Sequence, residues 1–203
     1  MREGPYARGG KRLLDAMVAL ALLSAALPVM AVVAAAVLLA LGRPVLFRDS
    51  RAGRAGVPFT MLKFRSMRAG DAPDAARLTG FGRRLRAAGL DELPQLLHVL
   101  RGEMSLVGPR ALPPGYTPLF DARQARRLDV RPGLVGPGVA AGRNAVPWAE
   151  RLERDAAYAA RPPTLRGDLA LVLGSARVLL RGIGAAAPGH ATMPAFRGKE
   201  AAP

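Results

Sequence analysis

The sequence lacks cysteine entirely and is poor in histidine, lysine and aromatic residues, which make up 5% of its 203 positions. Without cysteine, disulfide bonds and thiolate chemistry are excluded, and with His98 and His190 as the only histidines a zinc site is disfavoured. Sparse aromatic side chains also argue against a surface that stacks single-stranded nucleic acid. His98 lies in an apolar helical run, which predicts a structural role.

Positive charge is abundant: 30 basic residues face 15 acidic ones, for a net charge of +15. Such a charge predicts anionic surroundings, namely nucleic acid, anionic lipid or phosphate-bearing substrates. Nearly all of the basic residues are arginine, which suits bidentate phosphate binding. A composition rich in alanine, arginine, glycine and proline also follows from biased codon usage, so the positions of the arginines carry more information than their number.

Residues 16–42 contain no charged side chain. This stretch exceeds the roughly 20 residues that cross a bilayer as a helix, and it is too long for a signal peptide. Pro28 predicts a break near its middle, because proline removes a backbone hydrogen bond, and Ser24 can satisfy a freed carbonyl one turn earlier. Basic residues flank both ends, so the residues alone support equally a spanning helix and a re-entrant helix with both ends on the cytoplasmic face.

The remaining pattern predicts a mainly α chain with a small β-hairpin. Residues 43–68 predict the hairpin, around a Gly53/Gly56 turn. Helices are expected over 82–88, 92–101, 117–128, 148–160 and 165–183, and an irregular segment over 131–147. The last helix fits a membrane interface and core packing equally well. The predicted organisation is an N-terminal membrane segment (1–42), a catalytic domain (43–185) and a disordered tail (186–203).

Two adjacent carboxylates, Asp91 and Glu92, form the most informative feature. Neighbours in a helix point about 100° apart, so the pair suits two different tasks, one as a nucleophile and one as a metal ligand. Pro94 is tolerated in a first helical turn, and a leucine stripe follows it, so the pair is expected at a helix N-terminus that favours anions. An acidic N-cap without catalytic function is the simpler alternative for the pair taken alone.

The run LDELPQLLHVLRGEMSLVGPR (90–110) resembles the signature of the bacterial sugar transferases, the monotopic phosphoglycosyl transferases. Further matches occur in order along residues 11–182, and an ordered set is more specific than any single motif. These matches are Lys11-Arg12-Leu-Leu-Asp15, Gly42-Arg-Pro-Val-Leu-Phe47, Arg51-Ala-Gly53, Lys63-Phe-Arg-Ser-Met67, Val130-Arg-Pro-Gly133, Gly142-Arg-Asn144 and Asp155-Ala-Ala-Tyr158.

The resemblance implies a reaction, a fold and a set of site residues. The family transfers a phosphosugar from a UDP-sugar to polyprenyl phosphate and releases UMP. Its fold places a re-entrant membrane helix, broken at a proline, and interfacial amphipathic helices around a compact catalytic domain on the cytoplasmic face of the bacterial inner membrane. Asp91 would be the nucleophile, and Glu92 would hold Mg²⁺. The expected substrate- or phosphate-binding residues are Lys63, Arg86, Arg110, Arg143 and Asp155.

Implied partners are the UDP-sugar, polyprenyl phosphate and anionic membrane lipids, with no nucleic acid; a homo-oligomer is also allowed. One segment departs from the family pattern: Val135-Gly-Pro-Gly-Val139 replaces a typical Thr-Gly-Trp-Ala-Gln run, a difference that bears on nucleotide-sugar specificity. The alternative function is a non-catalytic, membrane-anchored basic adaptor that binds anionic lipid or nucleic acid. It predicts arginine clusters without a fixed carboxylate centre.

Overall fold

A computed structural model of the chain describes residues 4–184 and 193–198. The helices are α1 (Lys11–Leu41), α2 (Asp74–Arg77), α3 (Gly80–Ala87), α4 (Leu96–Arg101), α5 (Ala122–Ala125), α6 (Pro137–Ala141), α7 (Trp148–Ala159) and α8 (Leu165–Leu180). The strands are β1 (Leu46–Ala52), β2 (Pro58–Phe64), β3 (Ser105–Val107) and β4 (Gly133–Val135). A mainly helical chain with a small two-stranded antiparallel sheet is thereby confirmed.

Helix α1 is long and apolar enough to cross a membrane, and only 11% of its most apolar 18-residue window is buried. Large apolar side chains such as Leu20, Val32 and Leu39 are exposed on it. A core helix of a soluble protein would bury such a surface, so the exposed face requires an apolar environment. Helix α1 thus has the length, apolarity and exposure that a membrane-anchoring helix requires.

The predicted break at Pro28 does not interrupt α1. All residues from Lys11 to Leu41 are helical, with Pro28 inside the helix and Ser24 exposed one turn before it. An interrupted helix is therefore not confirmed, and the re-entrant path through the membrane stays a prediction.

One side of α1 is fixed to the rest of the chain. Ala19 packs with Leu96 and Val99 of α4, and further along α1 a second apolar cluster reaches β2 and α3. Near the start of α1, the Asp15 carboxylate accepts a hydrogen bond of 2.6 Å from Ser105 Oγ, and Arg12 donates to the carbonyl of Leu100 at 2.7 Å. Helix α1 and the domain that follows it are thus joined by packing and by buried polar contacts.

The hairpin is formed as predicted. β1 and β2 pair antiparallel, with Leu46 opposite Phe64 and Ala52 opposite Pro58. At the turn, the Gly53 amide donates to the carbonyl of Val57 at 2.8 Å, and a Cβ at Gly53 would lie 2.9 Å from that same oxygen. Glycine is therefore required there, and β2 packs against the Leu90–Gln95 turn that carries the two carboxylates.

Two expectations are corrected. Residues 131–147 contain β4, which pairs parallel with β3, and the short helix α6. Gly136 allows this close packing, because a Cβ there would lie 1.9 Å from the carbonyl oxygen of Gly108. The tail is not disordered throughout: Phe196 is 5% exposed and packs with Trp148 in an apolar cluster. The rest of the predicted tail, residues 186–192 and 199–203, lies outside the described residues.

Candidate active site

The carboxylates lie on a 3-10 turn, Leu90–Gln95, and not on the first turn of an α-helix as expected; α4 begins only at Leu96. The turn starts after Gly89, whose left-handed φ of 70° redirects the chain at the end of α3. Pro94 has no amide hydrogen to continue an α-helical ladder, which favours the tighter turn. Asp91 is buried, and Glu92 beside it is partly exposed.

Glu92 is held between two cations. Its Oε1 accepts one hydrogen bond from Lys63 Nζ and one from an Arg110 guanidinium nitrogen, each at 2.8 Å. Burial raises the pKa of Glu92, but the charges of Arg110 and then Lys63 outweigh burial and hold that pKa below its usual value. Burial also lowers the pKa of Lys63, and the charge of Glu92 opposes this shift. Glu92 is therefore ionised across the physiological pH range.

Asp91 has the opposite electrostatic environment. Burial, and next the charge of Glu92, raise its pKa to about 6, against the opposing charges of Lys63, Arg86 and Arg110. At neutral pH the Asp91 carboxylate is thus ionised but poorly solvated. A nucleophile in this state is reactive, because a bond to phosphorus removes its unfavourable buried charge. Two adjacent carboxylates with separated pKa values are suited to different tasks.

Arg86 and Arg143 approach the carboxylates from two other elements. The Arg86 side chain, on α3, donates from Nε to Ser66 Oγ at 2.8 Å. Arg143 has a positive φ of 56°, which is uncommon for a non-glycine residue, and donates to the Arg86 carbonyl at 3.3 Å. Arg143 Nη1 is buried without a hydrogen-bond partner among the described residues. A buried guanidinium nitrogen with no partner is prepared to receive an anion.

These groups line one cavity of about 600 Å³. Six of the seven residues expected at the catalytic or phosphate-binding site meet there: Lys63, Arg86, Asp91, Glu92, Arg110 and Arg143. The volume lies within the range of roughly 300–1,000 Å³ that is typical of small-molecule sites. These six residues place two carboxylates among four cations, an arrangement suited to a substrate with several phosphate charges.

Asp155 is the expected residue that the cavity lining does not include. Its carboxylate is buried and pairs with Arg127 at 2.8 Å, and Arg127 also donates to the Arg110 carbonyl. Burial raises the pKa of Asp155, and Arg127 opposes this shift. Asp155 is thus connected to Arg110 through Arg127, and its direct contact with substrate stays a prediction.

Other lining residues were missed from the sequence. Arg151 donates to the Arg143 carbonyl at 2.6 Å and so supports the unusual backbone there. Burial, followed by repulsion from Arg110, lowers the pKa of Arg151 to about 10. Tyr116 and Trp148 contribute aromatic surface to the same cavity. No sequence signal separates Arg151 from the many other arginines, although a lone tryptophan in an aromatic-poor chain was a usable sign.

A second, apolar groove of about 250 Å³ adjoins the cavity. Glu92, Arg110 and Arg143 line both, so the two spaces meet at the charged centre. The groove is otherwise lined mainly by Leu22, Ala26, Leu93, Leu96, Leu134, Val135, Val139 and Leu179. The atypical 135–139 segment therefore lines the apolar groove, whereas the expectation was an effect on the nucleotide-sugar site.

A metal ion has few protein ligands in this centre. Within the described residues, no three His, Asp or Glu side chains converge as a metal-binding cluster. Mg²⁺ is usually held by one or two carboxylates together with substrate phosphates, which Asp91 and Glu92 match in type and number. Lys63 and Arg110 both contact the same oxygen of Glu92, Oε1.

Comparison with known proteins places the chain in a family. The sequence profile of the bacterial sugar transferases matches residues 6–182. Two relatives are an uncharacterised sugar transferase, EpsL, of Bacillus subtilis (44% identity, 73% of this chain, 76% of the relative) and the exopolysaccharide production protein ExoY of Rhizobium meliloti (37%, 76% and 77%).

A third relative is the UDP-glucose:undecaprenyl-phosphate glucose-1-phosphate transferase of Caulobacter vibrioides, with 45% identity over 62% of this chain and 51% of the relative. The alignment thus spans about half the length of that protein. The profile match covers most of the chain and includes every residue of the charged centre. The chain therefore belongs to the bacterial sugar transferase family.

Proposed function

We propose that this sugar transferase transfers a phosphosugar from a UDP-sugar to polyprenyl phosphate and releases UMP, through a covalent phosphosugar intermediate on Asp91. The observation that carries the proposal is the environment of Asp91: a buried carboxylate with a raised pKa, beside an ionised Glu92 and facing Lys63, Arg86 and Arg110. The names of several relatives, which are undecaprenyl-phosphate sugar-phosphate transferases, support the general reaction.

The donor would lie in the large cavity with its diphosphate among the four cations. Arg143 has an unsatisfied buried nitrogen, and Arg110 is bound on one side to Glu92. Both arginines can therefore bind phosphate oxygens, and the protein scaffold holds them in position before the substrate binds. Arg86, fixed through Ser66, adds a third cation close to Asp91.

In the first step an oxygen of Asp91 forms a bond to the phosphorus that carries the sugar. The bond from this phosphorus to the oxygen shared with UMP breaks, and UMP leaves with the electron pair. Charge on the leaving group is stabilised by the surrounding arginines and Lys63. The product on the protein is an acyl phosphate that joins Asp91 to the sugar phosphate.

In the second step an oxygen of the lipid phosphate attacks the same phosphorus, the acyl–phosphate bond breaks, and the Asp91 carboxylate is regenerated. The apolar groove gives this acceptor a path, because it extends from Leu22 and Ala26 of α1 to Glu92, Arg110 and Arg143. A polyprenyl chain fits an apolar lining, and its phosphate fits the shared cations. The two substrates thus reach Asp91 from separate spaces.

Glu92 would be the protein ligand for Mg²⁺, with the donor's phosphates as the remaining ligands. When bound, this ion would neutralise diphosphate charge. The ion pairs with Lys63 and Arg110 fix the position of the Glu92 carboxylate and keep it ionised. The proposal also places the protein at the inner membrane with its cavity on the cytoplasmic face, and the exposed apolar face of α1 supports a membrane location.

The decisive experiment separates this two-step route from direct attack by the lipid. The protein is incubated with radiolabelled UDP-sugar and no lipid, and then denatured. Stoichiometric label that is released by hydroxylamine and absent from Asp91→Asn supports the covalent intermediate. Asp129→Asn, which changes an exposed carboxylate elsewhere, should label like the wild type. No label on the wild type, with intersecting lines in two-substrate kinetics, contradicts it.

A turnover assay with both substrates tests the non-catalytic adaptor. That alternative predicts arginine clusters without an organised carboxylate centre, whereas Glu92 is fixed between two cations and lies next to Asp91. An adaptor releases no UMP from any UDP-sugar in the presence of polyprenyl phosphate.

A further inference from the structure

The segment 193–198 lies against the cavity although it is distant from it in sequence. Phe196 is buried among aromatic side chains, with its ring centroid 5.6 Å from that of Trp148, 5.7 Å from that of Tyr116 and 5.8 Å from that of Phe120. Aromatic pairs at such separations contribute beyond their buried area. The segment is thus held by a specific cluster.

Two hydrogen bonds fix the backbone of the segment on either side of this ring. Trp148 Nε1 donates to the Pro194 carbonyl at 2.9 Å, and the Phe196 amide donates to the Tyr116 hydroxyl at 3.1 Å. Trp148 and Tyr116 are themselves lining residues of the large cavity. The residues that anchor the segment therefore also shape the proposed donor site.

Met193 reaches the cavity directly. It lines the same space as Tyr116 and Trp148, and Phe47 and Pro113 add further apolar surface. Met193, Tyr116 and Trp148 belong to one apolar cluster, which forms the apolar part of the lining, and the Arg151 guanidinium lies 5.3 Å from the centroid of the Trp148 ring. This part differs from the set formed by Lys63, Arg86, Arg110 and Arg143, which is cationic. One cavity therefore offers a region for phosphate charge and a region for an uncharged, flat group.

We propose that the apolar part binds the nucleobase of the donor, and that residues 193–198 form one of its walls. This inference rests on the proposed function, since it assigns one end of a nucleoside diphosphate sugar. A base has two apolar faces that stack on aromatic and thioether side chains, whereas the diphosphate requires cations. Met193 contacts the base, and Phe196 is a positioning residue that holds the segment in place.

The assignment is tested by binding, with the full-length protein in detergent and two probes. UDP contains the base and the diphosphate, whereas inorganic pyrophosphate contains only the charged part. Calorimetry gives the dissociation constant of each probe for the wild type, for a chain ended after residue 192, for Met193→Ala and for Phe196→Ala. A chain ended after residue 198 and the exposed-site variant Arg197→Ala are the matched controls.

We expect UDP to bind at least about fivefold more weakly to the chain ended after 192 and to Phe196→Ala, with a smaller loss for Met193→Ala, because a lost stacking face weakens base binding by this order. Pyrophosphate should bind all of these variants as it binds the wild type, and both controls should bind UDP normally. In turnover, the KM for the UDP-sugar should rise while the KM for the lipid stays unchanged.

Several results would overturn the assignment. Equal weakening of UDP and pyrophosphate would show that the segment supports the cavity only as packing. Unchanged UDP binding by Met193→Ala and Phe196→Ala, both folded by circular dichroism, would show that the base binds elsewhere. A wild-type protein that binds pyrophosphate but gains nothing from the base would also exclude it. Failure of the proposed function is distinguishable, since it is read from covalent labelling of the wild type and from UMP release, and not from the binding of either probe.

Discussion

Asp91 and Glu92 are neighbours in sequence, and the structure shifts their pKa values in opposite directions. Burial and the charge of Glu92 raise the pKa of Asp91 to about 6, whereas Arg110 and Lys63 hold the pKa of Glu92 below its usual value. The difference arises because both cations contact Glu92 directly at 2.8 Å. Glu92 is thereby an anchored anion, which supports the proposal that Asp91 is the nucleophile.

The rate of the first chemical step should therefore depend on pH through Asp91. A nucleophilic carboxylate acts when deprotonated, so UMP release in a single turnover without lipid should increase with pH and level off above about 6. Rapid-quench measurement between pH 4.5 and 8 gives the profile, with folding checked at each pH by circular dichroism. A rate that is flat across this range, or falls towards neutral pH, contradicts the assignment.

Replacement of Asp91 should also make the fold more stable. Because the folded-state pKa of Asp91 exceeds its unfolded value, its ionisation opposes folding, and the contribution of Asp91 to the free energy of unfolding declines as pH rises from about 4 to about 6. At pH 7.5 Asp91→Asn should gain up to about 3 kcal/mol in the free energy of unfolding while losing activity. The gain should shrink towards pH 4. Denaturant titrations at both pH values, without Mg²⁺, measure it; a destabilised Asp91→Asn would be the opposite result.

Much of the framework around this pair was predictable from local signals. The hairpin follows from its glycine turn, and Gly102 ends α4 in a left-handed conformation as expected. Six of the seven expected catalytic or phosphate-binding residues converge in the cavity, and five of these six lie in motifs that match the family pattern. Local patterns sufficed wherever a residue's neighbours in sequence determine its backbone or its contacts.

Long-range partners account for what sequence reasoning missed. β4 forms only because β3 lies beside it, about thirty residues earlier, so no pattern within 131–147 reveals the strand. Phe196 is ordered by Trp148 and Tyr116, which no property of an alanine- and proline-rich tail discloses. Asp155 forms an ion pair with Arg127 and does not line the cavity. With 30 basic residues in the chain, the sequence alone does not identify Arg127 as its partner.

The cation near Asp91 can be tested against a matched arginine on the same helix. Arg86→Ala should lower kcat/KM by an amount equivalent to about 2–4 kcal/mol, because a guanidinium that faces the reacting phosphate stabilises the transition state. Arg84→Ala removes the same charge from an exposed position of α3 outside the cavity lining and should retain activity. Equal losses in the two variants would indicate a general charge effect and not a contact with the phosphate.

The path of α1 through the membrane can be read from single cysteines, since the chain has none of its own. If α1 is re-entrant, Arg8→Cys and Arg54→Cys should both be protected from an impermeant thiol reagent in intact cells and labelled after permeabilisation. Pro28→Ala should favour a straight span, because alanine restores the missing backbone donor. External labelling of Arg8→Cys in the otherwise native chain would establish a simple span instead.

If the lipid acceptor uses the apolar groove and the UDP-sugar uses the large cavity, a substitution in the groove should affect only the lipid substrate. Ala26→Phe places a large side chain in the groove, whereas Ala25→Phe adds the same side chain at an exposed position on α1, outside the lining. Ala26→Phe should raise the KM for polyprenyl phosphate by at least about tenfold, since a filled hydrophobic site loses its ligand contacts. Its covalent labelling by UDP-sugar should remain normal, because the first step requires only the large cavity. Ala25→Phe should retain both steps. Loss of labelling in Ala26→Phe, or equal effects of the two variants on the lipid KM, would show that the acceptor does not approach Asp91 through the groove.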